Sequence, residues 1–150
     1  MDIFESVDDI LEFAIAGEVA ANQFYMDLAG KMKKPAVAKA FEGLAKEELG
    51  HKAKLEAIKQ DKTLEPIEKV ADLKLSDYLV SIGPDSDMDY QNALILAMKK
   101  EKAAYKLYSH LAMIAEDKNL TKTFLLLAQE EAKHKLLLEI EYDDVVLKED

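Results

Sequence analysis

Two near-copies of one short motif hold two of the three histidines in this chain. Residues 47–51 read EELGH and residues 130–134 read EEAKH, so each copy places a glutamate three residues before a histidine. On a helix this spacing brings both side chains to one face, about one turn apart. Carboxylate oxygens and imidazole nitrogens are ligands for hard-to-borderline divalent metals, so the repeated motif predicts metal binding.

The two motifs belong to a longer internal repeat. Residues 14–58 align with residues 97–141 without a gap, and seventeen of the forty-five aligned positions are identical. Shared helical periodicity explains the matching alanines and leucines, but it does not explain matching glutamates and histidines. The sequence therefore predicts a duplicated helical hairpin with an approximate two-fold axis, in repeats of about 7–60 and 87–142.

The composition favours helices that could position these residues. The chain has 150 residues, with three prolines, five glycines and no cysteine, and Ala, Leu, Lys and Glu, which dominate it, are strong helix formers. This length suits one domain over residues 1–150. Capping signals and apolar periodicity predict four amphipathic segments. The first opens at Ser6 and runs to about Gly30, and the second runs from near Pro35 to about Gln60. The third follows GPDSDMD at 83–89, where Ser86 and Asp89 form a second Ser-x-x-Asp capping pattern, and runs to about Ala115. The fourth starts after Asp117 and extends to roughly Tyr142.

The links between these segments predict how they connect. The first and second segments, and the third and fourth, are joined by only a few residues, which forces each pair into an antiparallel hairpin. Residues 61–86 form a much longer crossover, with a short helix expected near LSDYLV at 75–80. The prediction is an all-α, ferritin-like antiparallel four-helix bundle with one long crossover between helices 2 and 3.

Each predicted helix interrupts its apolar stripe with a carboxylate. An unpaired buried carboxylate costs several kcal/mol or takes up a proton, and no Lys or Arg lies on these stripes. Two divalent cations would offset the charge of the four glutamates. The candidate metal ligands are Glu18, Glu48, His51, Glu101, Glu131 and His134.

Over about residues 7–142 the sequence resembles the rubrerythrin branch of the ferritin-like di-iron carboxylate superfamily. Such bundles take one glutamate from each of two helices and a Glu-x-x-His pair from each of the other two. The resemblance implies two bound iron ions, with manganese as the alternative metal, bridged by Glu48 and Glu131. It implies that the remaining ligands complete one site with Glu18 and His51 and the other with Glu101 and His134.

Further repeated side chains have two interpretations each. Tyr25 and Tyr108 lie seven residues after the first glutamate of each repeat, and they resemble phenols that hydrogen-bond to carboxylates of the opposite repeat. They could equally be core aromatics with hydroxyls satisfied elsewhere. Glu47 and Glu130 point about 100° away from their glutamate neighbours, which predicts surface acids or weak contacts behind the ligands. His110 falls opposite Glu101 on its helix and is predicted to be a surface residue.

Two departures from the family bear on function. Rubrerythrins carry a cysteine-rich rubredoxin domain, and because this chain has no cysteine, we expect an external electron donor such as a rubredoxin-like protein. Rubrerythrins also carry an extra glutamate one turn after the third-helix ligand, which exchanges with histidine as the iron changes oxidation state. Here that position is Ala104, and its repeat counterpart is Ala21. This argues against the ligand exchange and against efficient peroxidase turnover.

The resemblance implies a non-haem di-iron oxidoreductase, a peroxidase or oxidase that reduces hydrogen peroxide or dioxygen. Three alternatives stay open at this stage. The chain could handle iron, oxidising Fe(II) and then transferring or storing it. It could hold two manganese ions and disproportionate peroxide. It could also be a purely structural helical protein, which would leave four core glutamates without partners.

Charge and hydropathy narrow the set of partners. A net charge of −10 repels phosphate backbones, so no nucleic-acid partner is expected. The N-terminal MDIFESVDD is acidic where a signal peptide would be basic, and no apolar run approaches the ~20 residues that a membrane span needs. We expect a cytoplasmic protein without membrane contact. A homodimer is expected, and the long crossover would permit hairpin exchange between chains.

Overall fold

The computed structural model of the chain describes residues 6–61, residue 78 and residues 89–149. Within these residues the secondary structure is helical and contains no strand, which confirms the predicted all-α class. The four helices are α1 (Val7–Lys31), α2 (Pro35–Asp61), α3 (Tyr90–Ile114) and α4 (Lys118–Glu149).

The helices belong to two compact units, each of which is an antiparallel hairpin. The first unit, Phe4–Ala71, contains α1 and α2. Near the start of α1, Glu12 accepts a 2.8 Å hydrogen bond from Lys59 in the last turn of α2. Near the other end, the ring of Tyr25 stacks on that of Phe41 with centroids 6.2 Å apart. The early residues of one helix therefore contact the late residues of the other.

The second unit, Asp72–Asp150, repeats this arrangement with α3 and α4. The hydroxyl of Tyr90, the first residue of α3, donates a 2.9 Å hydrogen bond to Glu141 far along α4. At the opposite end, the Thr121 hydroxyl donates to the backbone carbonyl of Ala115 across the short turn, at 3.3 Å.

Local capping explains where the helices begin. The Ser6 hydroxyl accepts a 3.1 Å hydrogen bond from the backbone N–H of Asp9, as the sequence predicts. Pro35 is the first residue of α2, where its missing N–H costs nothing. The Asp117 carboxylate accepts from the backbone N–H of Asn119 at 2.8 Å, at the start of α4.

Helix α3 starts at Tyr90, directly after GPDSDMD as predicted. Its N-cap is Asp89 rather than the expected Ser86, and the Asp89 carboxylate accepts a 2.8 Å hydrogen bond from the Asn92 N–H. One predicted helix end was wrong. Helix α4 continues to Glu149, beyond the predicted end near Tyr142. The repeat and its apolar stripe end near that tyrosine, but no Gly or Pro follows to stop the backbone hydrogen bonds.

The predicted crossover, 61–86, lies outside the described residues except for its first residue and Tyr78. The short helix expected near LSDYLV therefore stays a prediction, and so does the assignment of residues 1–150 to a single domain. None of the helices within 6–61 and 89–149 is long and apolar enough to cross a membrane.

The core repeats between the two units as the duplication predicts. Apolar side chains at equivalent positions of the two hairpins are buried in both. The equivalent buried pairs are Tyr25 and Tyr108, Leu28 and Leu111, Phe41 and Phe124, Leu44 and Leu127, and Leu55 and Leu138.

The hydrogen bond between Tyr90 and Glu141 predicts a pH-dependent contribution to stability. Burial, and then the hydrogen bond to Glu141, raise the pKa of the Tyr90 phenol above its ordinary value. In the unfolded chain this phenol ionises near pH 10. Above that pH the unfolded state loses a proton that the native state keeps, so the stabilisation declines as pH rises.

We expect Tyr90→Phe to lower the free energy of unfolding by about 1 kcal/mol near neutral pH, because one partly exposed hydrogen bond is lost. The difference from wild type should shrink as the pH rises above about 10. Urea unfolding across that range measures it. In a Glu141→Ala background the same substitution should cost clearly less, whereas an equal cost at every pH would contradict the assignment.

Candidate metal centre

The first cluster of predicted ligands lies between α1 and α2. Glu18 comes from α1, and Glu48 and His51 come from successive turns of α2. The His51 Nδ1 atom is 3.5 Å from Oε2 of Glu18 and 3.2 Å from Oε1 of Glu48. One ligand atom from each residue lies within 4.8 Å of the others. The first unit therefore brings its three predicted ligands together.

The second cluster has the same composition between α3 and α4. The His134 Nδ1 atom is 3.3 Å from Oε2 of Glu101 and 3.3 Å from Oε1 of Glu131. These three residues also offer ligand atoms within 4.8 Å of one another. The second unit thus repeats the geometry of the first, as the duplicated sequence predicts.

Helical periodicity explains why these polar side chains are inside. On α2, Glu48 and His51 follow the buried Phe41 and Leu44 and precede the buried Leu55, so they share one helix face. The backbone cannot turn them outward without exposing that whole apolar face. The six ligands are the buried polar or charged side chains of the described part of the chain, each with 1–2% of its surface exposed.

The distances within each cluster fit a shared metal ion better than direct hydrogen bonds. A hydrogen bond between an imidazolium and a carboxylate is about 2.7–2.9 Å long, whereas the four N–O distances here are 3.2–3.5 Å. Bonds of about 2.0–2.2 Å from one ion place neighbouring ligand atoms about 3.0–3.5 Å apart. One imidazole nitrogen also faces two carboxylates at once, which suits a common ion better than a single N–H.

The donor set supports the same conclusion. Each cluster offers carboxylate oxygens and an imidazole nitrogen, the mixture that iron, manganese and zinc accept. Carboxylates buried this deeply are costly without a compensating positive charge. The residues present therefore fit a divalent metal, which Glu18, Glu48 and His51 would hold in one cluster. Glu101, Glu131 and His134 would hold one in the other.

Comparison with known proteins identifies the family. Residues 9–80 and 92–150 match the sequence model of the family named Rubrerythrin. The chain belongs to the rubrerythrin family. No curated protein matches its sequence significantly.

Two solved structures are similar to this chain in fold. One is a Thermotoga maritima protein described as a candidate ferritin-like diiron-carboxylate protein. It is 22% identical with a TM-score of 0.78, over 97% of this chain and 99% of that one. The other is a hypothetical protein from Pyrococcus furiosus, 26% identical with a TM-score of 0.69, over 89% and 86%. These likenesses confirm the predicted ferritin-like fold.

The two predicted tyrosines are buried in this rubrerythrin-family fold. Tyr25 and Tyr108 each expose 1% of their surface. Tyr25 contacts the ring of Phe24 edge-on, with centroids 5.7 Å apart, in addition to its stacking on Phe41. Both interpretations, an aromatic core residue and a phenol acting on ligand carboxylates, are compatible with this burial. Their role at the metal ligands stays a prediction.

The other polar residues that the sequence analysis considered differ in how far they are buried. Glu47 is exposed and Glu130 is half-buried, in line with their predicted positions away from the ligand face. The prediction for His110 was wrong, because this residue is half-buried. Its Nδ1 atom lies 2.7 Å from the hydroxyl of Tyr78, which exposes only 4% of its surface. Helical periodicity could not reveal this partner, since Tyr78 lies in the crossover.

Sequence reasoning missed two residues next to the clusters. Asn22 donates a 2.8 Å hydrogen bond to the Ala45 carbonyl and so ties α1 to α2 one turn beyond Glu18. A polar residue four positions after a ligand was the available signal. Lys100 precedes Glu101, and burial lowers the pKa of its ammonium group. Gly17 is its counterpart in the first repeat, so the surroundings of the two clusters differ.

Proposed function

We propose that this rubrerythrin-family protein is a non-haem di-iron oxidoreductase that reduces hydrogen peroxide or dioxygen. In this proposal the two clusters act as one dinuclear centre, with Glu48 and Glu131 as the bridging carboxylates. The observation that carries it is the pair of matching buried clusters. Each has two carboxylates within 3.2–3.5 Å of one imidazole nitrogen.

Two metal ions suit this chemistry because peroxide reduction needs two electrons. Reduction of one hydrogen peroxide to two waters consumes two electrons and two protons and breaks the O–O bond. When bound, two ferrous ions would each supply one electron. The protein side chains would hold the ions, keep them apart from bulk water and neutralise their charge. All six ligands are almost fully buried, which suits a site that controls what reaches the metals.

The buried tyrosines are the proposed hydrogen-bond donors and proton donors of this centre. Tyr25 and Tyr108 are phenols on α1 and α3, two turns after the Glu18 and Glu101 ligands. A phenol can orient a carboxylate by donating a hydrogen bond, and it can pass a proton to a reduced oxygen. The electrons would come from an external donor such as a rubredoxin-like protein. Iron as the native metal and a cytoplasmic location are parts of the proposal.

A second function, oxidation of Fe(II) followed by iron transfer or storage, is favoured by one feature. The position one turn beyond Glu101 is the half-buried Ala104, whereas rubrerythrins with ligand exchange have a glutamate there. A centre without this exchange would turn over slowly with peroxide and could release oxidised iron. A dimanganese centre that disproportionates peroxide would use the same six ligands.

Anaerobic titration of the metal-free protein with Fe(II), followed by rapid mixing with hydrogen peroxide or air, separates these functions. The di-iron oxidoreductase predicts two irons per chain, oxidised much faster by peroxide than by dioxygen. Absorbance after stopped-flow mixing measures both rates.

Other results of this titration would favour a different function. Ready oxidation by dioxygen, followed by release of iron, would favour iron handling. Catalytic oxygen release from peroxide by the manganese-loaded protein alone would favour disproportionation. Fewer than two irons per chain would contradict the dinuclear centre itself.

A further inference from the structure

One hydrogen bond joins α1 to α2 at the level of the first ligand cluster. The side-chain amide of Asn22 donates to the backbone carbonyl of Ala45 at 2.8 Å. Asn22 lies four residues after Glu18 on α1, and Ala45 lies three residues before Glu48 on α2. The bond is therefore about one helical turn from a ligand on each of the two helices.

The acceptor of this bond belongs to the backbone of α2. Ala45 is fully buried, and its carbonyl lies within the helix, so it cannot move unless the helix moves. A carbonyl oxygen only accepts hydrogen bonds, which means that the amide nitrogen of Asn22 must face it. The asparagine side chain is short and occupies few rotamers. The bond to Ala45 thus fixes the separation of the two helices rather than the position of a flexible side chain.

The duplicated sequence does not repeat the donor. Tyr105 takes the place of Asn22 in the second repeat, and 46% of its surface is exposed. Ala128 takes the place of Ala45 and is buried in the same way. The second hairpin therefore packs its helices without an amide at this position, which shows that the fold itself does not require the bond.

The ligands beside this bond supply a reason for it. Glu18 and Glu48 lie 3.5 Å and 3.2 Å from the His51 Nδ1 atom. Two carboxylates in one buried cluster repel each other when no metal ion lies between them, and this repulsion drives α1 and α2 apart. Any separation that results has to be reversed when an ion binds, which weakens binding. A hydrogen bond between the two helices opposes the separation and so preorganises the ligands.

We infer that Asn22 is a positioning residue for the first metal site, an inference that rests on the proposed function because it requires an ion there. The amide acts through the helices. It sets the separation of α1 and α2, and that separation sets the distance from Glu18 to Glu48 and His51. Because the second repeat has Tyr105 at the equivalent position, loss of the Asn22 amide should affect the first site alone.

Stepwise titration of the metal-free chain with Co(II), in competition with a chelator, tests this role. The visible absorption of bound Co(II) reports both occupancy and ligand geometry. Asn22→Leu keeps the size of the side chain and removes its N–H donors. We expect this variant to bind one ion with wild-type affinity and the other about three- to tenfold more weakly, the affinity equivalent of one hydrogen bond.

The neighbouring residue supplies a matched control. The Gln23 amide donates to the Asp27 carboxylate at 3.2 Å, on α1 itself. Gln23→Leu therefore removes an amide hydrogen bond that does not join the two helices, and it should leave both Co(II) affinities unchanged.

Single-site backgrounds assign the affected ion. In Glu101→Ala, which keeps the ligands of the first site, added Asn22→Leu should weaken the remaining ion by the same factor. In Glu18→Ala, which keeps those of the second site, the same addition should change nothing. Urea unfolding of the metal-free variants is measured alongside. A purely structural role would lower the free energy of unfolding and leave the Co(II) affinities unchanged.

Three results would overturn the inference. Native affinity for both ions in Asn22→Leu would show that Asn22 does not position ligands, while the proposed centre would stand. An equal loss in the Glu18→Ala and Glu101→Ala backgrounds would show a general loosening of the fold. A wild-type chain that binds no ion would overturn the proposed centre and the role of Asn22 together.

Discussion

Glu48→Ala and Glu131→Ala are each expected to abolish binding of both proposed metal ions, leaving well under one ion per chain where wild type is expected to bind two. Each carboxylate lies 3.2–3.3 Å from an imidazole nitrogen in its own cluster, and in the proposed centre each also ligates the other ion. Removing a bridge therefore takes a ligand from both ions and leaves the remaining buried carboxylates mutually repulsive. Anaerobic Fe(II) titration with calorimetric or spectroscopic detection measures the stoichiometry.

The repeated glutamate pairs supply a matched control. Glu47→Ala makes the same chemical change one residue earlier, at an exposed position on the same helix, and should keep two ions. Glu18→Ala removes a ligand that the proposal assigns to one ion only, so it should weaken one site and retain the other. Native binding of two ions by either Glu48→Ala or Glu131→Ala would refute the bridging assignment.

Metal binding is expected to raise the thermal stability of the wild-type chain by a large margin. A site saturated at a hundred times its dissociation constant contributes about 2.7 kcal/mol, so two sites contribute over 5 kcal/mol. For a chain of this length that corresponds to about 10–20 °C in the unfolding midpoint. The physical origin is that the ions offset the charge of carboxylates that the fold holds at 1–2% exposure. Calorimetry of the metal-free and metal-loaded protein measures the shift.

The double variant Glu48→Ala/Glu131→Ala is the control for this second prediction. It should unfold at the same temperature with and without added metal, because both carboxylates that the proposal assigns to the two ions in common are gone. If added metal leaves the unfolding midpoint of the wild-type chain unchanged, the result would instead favour a purely structural helical protein. In that protein the core histidines would be hydrogen-bonded within the fold.

The candidate site was predictable from the sequence to an unusual degree because it lies on helices. Glu48 and His51 occupy successive positions of one apolar stripe, and a helix of 3.6 residues per turn carries that pattern into space without help from distant residues. The duplication gave independent support for these two ligand candidates, since Glu131 and His134 repeat both residues in register. Helical periodicity does not predict the distances between side chains of different helices. The 3.2–3.5 Å between the His51 Nδ1 atom and its two carboxylates became known only from the structure.

Predictions failed where a contact crosses between elements or where a local signal was weak. His110 was predicted to be a surface residue, but Tyr78 covers it from a segment with no readable periodicity. The end of α4 was placed near Tyr142 because the repeat stops there, while the backbone hydrogen bonds continue to Glu149. A sequence pattern reports side-chain burial, and it does not report how far a helix without breakers extends.

By itself the sequence determined that this chain forms four amphipathic helices, that its two hairpins are copies, and that six polar residues occupy core positions. These follow from local periodicity and from repetition, which need no knowledge of neighbours. Only the tertiary structure decided which apolar residues of α4 are covered. Leu127 and Leu138 are buried while the adjacent Leu126 and Leu137 stay exposed. The reason is that hydrophobicity favours the burial of every one of these leucines, and the tertiary packing alone decides which of them are covered.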